Sequence, residues 1–292
     1  MVISPLEVPK CSVGEGPVWD ERHQALYWID IVGRKVFRLL LASSDVAQWN
    51  VPEMIGSMAI RQDGKSALVA LASGVHTLDF TTGECTLLAT RSDLNDQVQL
   101  ADGKVDRRGR FIVGSSDRSM KEGRGKIYVL DPGANELRAI DDGVILANGP
   151  CWSPDDRTFY HADSVRQMIF AYDYDIETGT VSGKREFANI KKYGGIPDGA
   201  TVDAEGHLWS AICEAGKLVR FSPDGNVERI VEFPQKTPGS LMFGGPELDR
   251  LFVPTLNPAA VFPDREGHPD DGLTFAIDGM GIKGIAEPRF GA

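Results

Sequence analysis

Short apolar runs broken by acidic glycine turns dominate this chain, and the clearest example lies between Gly194 and Trp209. Ile196-Pro197-Asp198-Gly199-Ala200-Thr201-Val202 reads as a strand with one carboxylate near its start, Asp203 to Gly206 as a turn, and Leu208-Trp209 as the opening of a second strand. Five further copies of this hairpin align on their turns, and they place Glu15, Gly56, Ala101, Asn148 and Gly239 at the position of Asp198. Successive copies are 41, 45, 47, 50 and 41 residues apart, periods that suit a four-stranded propeller blade. The first five hairpins are each followed by another strand: Lys35–Leu40, Gly74–Asp79, Lys126–Leu130, Met168–Tyr172 and Lys217–Phe221. No 11-residue window keeps a convincing 3.6-residue period, so helix is not expected. The pattern predicts one all-β domain over residues 1–292, a six-bladed β-propeller. Either the Cys11-Ser12-Val13 region or the strand Thr274-Phe275-Ala276-Ile277 is expected to close the ring, because an open last blade would leave strand edges unpaired.

Composition narrows the partners. A net charge of -11 disfavours nucleic acid, whose binding relies on Lys and Arg displacing counterions, and disfavours an anionic membrane surface for the same reason. The N-terminal residues lack a basic segment followed by an apolar core, and no run approaches the ~18 apolar residues of a membrane span. The expectation is a soluble, cytoplasmic protein acting on a small molecule. Cys11, Cys85, Cys151 and Cys213 stand far apart, with no Cys-x-x-Cys spacing, and read as reduced structural thiols. No Gly-x-Ser-x-Gly elbow, His-Glu-x-x-His helix or phosphate-binding glycine loop occurs, which argues against serine-hydrolase, zincin and nucleotide-dependent chemistry.

In a propeller the innermost strands line one channel, so equivalent positions at their starts converge. Glu15, Asn148 and Asp198 would then face one another as two carboxylates and an amide oxygen. Such a hard oxygen set, completed by water, suits Ca²⁺, Mg²⁺ or Mn²⁺, with Zn²⁺ or Fe²⁺ also open. The competing reading is that each residue merely caps a strand end or bonds a turn, as Asp and Asn before Gly often do. His161-Ala162-Asp163 offers a second conceivable ligand pair but reads better as a half-buried strand. Lys191-Lys192-Tyr193-Gly194-Gly195 reads equally well as a pocket border or a solvated loop. Trp19, Trp28, Trp152 and Trp209 are expected on inner strands, packing between blades.

Glu15-Gly16-Pro17-Val18-Trp19, Asn148-Gly149-Pro150-Cys151-Trp152-Ser153-Pro154-Asp155 and Pro197-Asp198-Gly199 resemble the signature segments of the senescence-marker-protein, gluconolactonase and luciferin-regenerating family, in register over roughly residues 11–256. The resemblance implies a six-bladed propeller that holds a divalent cation through Glu15, Asn148 and Asp198. It also implies Asp198 as general base and an aldonolactone as substrate. One departure stands out: where the family often carries an Arg and, two residues later, an Asn before Asp-Gly, this chain has Gln99 and Ala101. Asp102, Asp117 and Arg118 are the nearby polar side chains that could replace those substrate contacts.

Lactone hydrolysis suits these groups, since a cation can polarise the ring carbonyl or activate a water while a carboxylate moves the proton. An organophosphate or aryl-ester hydrolase using the same open metal position is the alternative enzyme, and a non-catalytic calcium-binding propeller the alternative outside enzymes. Because the Ala101 methyl cannot hydrogen-bond a hydroxyl, Ala101→Asn is expected to shift preference among lactones with metal affinity nearly unchanged. Parallel measurement of kcat/KM and calorimetric metal affinity checks this, and an equal change in both would move position 101 into the metal shell.

Overall fold

The computed structural model describes residues 1–91, 93–261 and 264–291. Six four-stranded antiparallel sheets stand in a ring as the blades of a β-propeller. In the first blade the strands run outward in chain order, Gly14–Asp20, Ala25–Asp30, Lys35–Leu40 and Asp45–Asn50. The other inner strands are Ile55–Ile60, Val98–Val105, Ala147–Trp152, Ile196–Val202 and Met242–Gly244.

The second strand of a blade is covered on both faces by its neighbours. Ala25–Asp30, Ser66–Leu71, Phe111–Asp117 and Leu208–Cys213 are accordingly buried throughout, and they read in sequence as mainly apolar runs rather than alternating ones, Phe111–Asp117 turning polar after Val113. Outer strands such as Asp45–Asn50 keep one face in solvent. The four tryptophans are buried as expected, although Trp28 and Trp209 lie on second strands, where Trp28 stacks on Phe37 and Trp209 meets the edge of Phe243.

Ring closure departs from the sequence expectation. Thr274–Asp278 is the third strand of the last blade, and the fourth is Val2–Pro5, whose residues pair antiparallel with Phe275 to Asp278. Cys11-Ser12-Val13 forms no strand of the blade; it contributes an isolated bridge from Val13 to Leu256 and backbone bonds from Cys11 N–H to Gly272 O and from Asn257 N–H to Ser12 O. Val-Ile-Ser-Pro is four residues long and ends in proline, so little marks it as a strand until a partner edge supplies the hydrogen bonds.

A segment with no strand pattern, residues 279–291, crosses the far end of the ring, where the inner strands finish. Gly284 N–H donates to Leu248 O, Ala204 N–H to Lys283 O, and Phe290 N–H to Ile60 O, all within 2.7–2.8 Å. Glu287 pairs with the buried Lys104 at 3.1 Å, and Arg289 clasps Asp20 at 2.7 Å. This strap therefore bonds five of the six blades: the first, second, third, fifth and sixth.

The acids of the repeat turns hold the blades internally. Buried Asp203 accepts hydrogen bonds from the backbone N–H groups of Glu205 and His207, from Trp209 Nε1 and from Arg220 Nε. Removing one partner of such a buried network leaves the rest uncompensated, at a cost of about 3–5 kcal/mol. Glu228, which also pairs with Arg220, has a side chain 37% exposed, and exposed ion pairs contribute under about 1 kcal/mol. Asp203→Ala is thus expected to lower unfolding free energy several times more than Glu228→Ala, as read from denaturant melts; equal losses would show that the turn acid is not what secures the blade.

Candidate functional site

Five of the six inner strands break register at one place. The interruptions fall between Glu15 and Val18, Ile55 and Ser57, Leu100 and Gly103, Asn148 and Cys151, and Pro197 and Ala200. A bulge bends its strand and re-aims a side chain. Here the bulges bring Glu15, Ala101, Asp102, Asn148 and Asp198 to the floor of a cavity of about 350 Å³ on the channel axis, with Gln99 on its wall. The copies that carry glycine do so because neighbouring backbone leaves no room. A Cβ on Gly56 would sit 2.5 Å from Leu100 O, and one on Gly239 would sit 2.7 Å from Gly14 O.

The floor is acidic and buried. Glu15, Asp102 and Asp198 are all buried. Burial, then the charges of Asp198 and Asp102, push the Glu15 carboxyl well above the usual range. Burial and then Asp102 push Asp198 up as well. Asp102 is raised chiefly by burial, against the opposing influence of Lys104 and two backbone donors. Those donors, Gly103 N–H and Gly149 N–H at 2.8 Å each, occupy both of its oxygens and tie the third blade to the fourth.

Asn148 is oriented from behind. Its Nδ2 donates to Ser164 Oγ at 2.9 Å, and Ser164 Oγ donates to Pro197 O at 2.6 Å, so the amide oxygen is left for the site. Glu15 Oε2 accepts from Gly16 N–H at 2.6 Å, while the buried Glu15 Oε1 has no hydrogen-bond partner. The nearest cationic side chain, Lys104, is spent on Glu287 and on Ala200 O. Buried carboxylates are ordinarily paired or bound to metal, so this orphaned oxygen and uncompensated charge fit a divalent cation. Among the described residues no group of three or more His, Cys, Asp or Glu side chains has metal-holding geometry, so a ligand set here needs the Asn148 amide and water beside Glu15 and Asp198.

Asp117 and Arg118 do not line this cavity. The Ser119 hydroxyl, together with the N–H groups of Glu122, Ser119 and Lys121, occupies the Asp117 carboxylate and holds it well below the usual range. Arg118 lies with Asp117 in a separate surface hollow beside Asp96 and Gln97. His161 is buried in the fourth blade, its ring nitrogens engaged by Tyr172 Oη and Ala162 O, and burial lowers it to about 4. Lys191–Tyr193 forms a short 3₁₀ turn away from the cavity.

Several site neighbours escaped sequence reasoning. Ser116, Cys213 and Glu214 line the cavity. Ser164 stands 16 residues from the amide it steers. One signal was present: Cys213 ends the strand that follows the Asp203–Gly206 turn, directly across from Ile196.

The fold and its acidic axial floor define a propeller built around one polar centre. Residues 13–257 match the SMP-30/gluconolactonase/LRE-like region, and the chain belongs to that family. It is 34% identical to regucalcin of Danio rerio over 282 residues, with 94% of each chain covered. It is 32% identical to 6-deoxy-6-sulfogluconolactonase of Pseudomonas putida, covering 97% of this chain and 99% of that one. Among solved structures it is similar to a calcium-binding protein, regucalcin, from Agrobacterium tumefaciens, with a TM-score of 0.86, 28% identity, and coverage of 97% of this chain and 95% of the other.

Groups behind a metal ligand typically change affinity by ~10–100-fold when removed. Ser164→Ala is expected to weaken divalent-cation binding by about that factor, measured calorimetrically with Ca²⁺ and Mn²⁺ well below the variant's thermal transition, which loss of the bond to Pro197 O lowers. Unchanged affinity would mean that Asn148 needs no such support.

Proposed function

We propose that this protein is a divalent-cation-dependent hydrolase that opens lactones. The observation that carries the reading is the pair of buried carboxyl groups, Glu15 and Asp198, beside an amide whose oxygen is freed by Ser164, with Glu15 Oε1 left without a partner. The similarity to a sulfogluconolactonase and to a calcium-binding regucalcin supports the same chemistry and cation class.

Glu15, Asn148 and Asp198 would hold the ion, which when bound supplies a Lewis acid for the ester carbonyl. Asp198 accepts a proton from the attacking water and returns one to the ring oxygen as the acyl C–O bond breaks. Asp102 stays locked by Gly103 and Gly149, and its charge favours a proton on Asp198. No covalent nucleophile is required.

Removing a general base costs on the order of 10²–10⁴ in rate. Asp198→Asn keeps an oxygen donor but loses the basic site, so it is expected to remain inactive at saturating cation. Glu15→Gln and Asn148→Ala should recover in part as cation is raised. A pH-stat assay with chelator, then with restored Ca²⁺, Mg²⁺, Mn²⁺ or Zn²⁺, reads all three. Recovery of Asp198→Asn by excess cation would remove its proton-transfer role, and cation binding with no turnover in the wild type would leave a binding protein.

A further inference from the structure

The walls above the acidic floor are of the wrong chemistry for a sugar. Strand side chains two residues apart share a face, so the residue two before each floor position forms the next layer up the channel. In the first five blades those residues are Val13, Met54, Gln99, Leu146 and Ile196, and all five line the cavity. Four are apolar and the fifth is an amide. At the mouth, Val32, Met120 and Val261 also line the cavity, and each stays more than 40% exposed, an apolar rim that soluble surfaces seldom leave without a use. No Lys, Arg or His is among the described residues lining the space. Glu214 also lines the space, its carboxylate paired with Arg265 at 2.8 Å, and beyond it and Gln99 one polar handle stands above the floor. Ser116, directly across the strand pair from Gln99, is buried and its Oγ has no hydrogen-bond partner.

We infer that the lactone taken by this site carries an alkyl chain in place of sugar hydroxyls, with Ser116 and Gln99 meeting a single polar group near the ring. The inference rests on the hydrolase reading above and names its substrate class. An aldonolactone would bring several hydroxyls against Val13, Met54, Leu146 and Ile196, and each hydroxyl deprived of water without a new partner costs on the order of tenfold in binding. An alkyl chain meets the same walls at a gain. Burying one methylene is worth about fourfold in affinity, and a cavity near 350 Å³ suits a small ligand of this kind. In the reaction water adds to the carbonyl carbon, the ring C–O bond breaks, and the ring oxygen leaves as a hydroxyl. The product is a hydroxy-alkanoic acid, which releases one proton on ionising.

The experiment uses the full chain with divalent cation supplied and compares γ-butyrolactone, γ-hexalactone, γ-nonalactone and γ-undecalactone with D-glucono-δ-lactone. The expected result is a kcat/KM that rises about threefold to fourfold per methylene until the cavity fills, and exceeds that for gluconolactone by 100-fold or more. A flat series, or a preference for gluconolactone, overturns the inference and leaves the hydrolase reading standing. The matching γ-lactams, which resist hydrolysis, are titrated calorimetrically as a readout that needs no turnover. Tightening with chain length supports the alkyl pocket even if no lactone is opened, in which case only the hydrolase reading falls, and flat lactam binding counts against the pocket. Leu146→Asn, at the second layer and away from the floor, is expected to lower γ-nonalactone kcat/KM about tenfold and γ-butyrolactone far less. An equal effect on both would place Leu146 outside the chain-binding wall.

Discussion

Six strand edges meeting around one axis must find hydrogen-bond partners across the seams between blades, and everything else in this molecule is arranged to allow that. Ser57 Oγ reaches Ala101 O, Asp102 receives Gly149 N–H, Ser164 reaches Pro197 O, Gly199 N–H reaches Gly239 O, and Gly14 N–H reaches Thr255 O. These five stitches lie at or beside the bulges. The same local distortion that lets neighbouring blades bond one another also turns Glu15, Asn148 and Asp198 toward the axis. Architecture and site are thus two uses of a single irregularity.

That arrangement works against folding. Three carboxyl groups are taken out of water within one another's field, and Lys104 softens it at Asp102. The remainder of the ring has to offset this cost. It does so through fully buried second strands, interblade aromatic contacts, and turn acids such as Asp203 whose every oxygen is bonded. Groups held in destabilising surroundings on a well-packed frame are the usual mark of a working site.

The repeat was legible because its punctuation is local. Asp203 and Gly206, Asp106 and Gly109, and Asp63 and Gly64 mark turns by chemistry that needs no distant partner. Glu15, Asn148 and Asp198 were legible as a set because a shared repeat position implies a shared place in space. Val2–Pro5 and the strap at 279–291 were not, since neither has a period of its own and both take their shape from edges far away in sequence. Asp117 was misleading for a related reason. An acid preceding a polar loop looks available for ligand, yet the loop itself supplies the donors that occupy it. The apolar second layer could have been read by stepping back two residues from each floor position, which yields Val13, Met54, Leu146 and Ile196 at once.

The outer strand of the last blade carries a consequence for how the molecule is made. Val2–Pro5 leaves the ribosome roughly 15–50 s before its partner Thr274–Asp278 at translation speeds of ~5–20 residues per second. Throughout that interval the earliest strand has no edge to join, and the growing arc of blades ends in an open one. Closure therefore waits for residues 274–278 to be made, and a ribosome stalled after residue 254 would hold a nearly complete arc that cannot shut. Such a nascent chain is one that chaperones and proteases can tell from the finished protein by its unsealed seam alone.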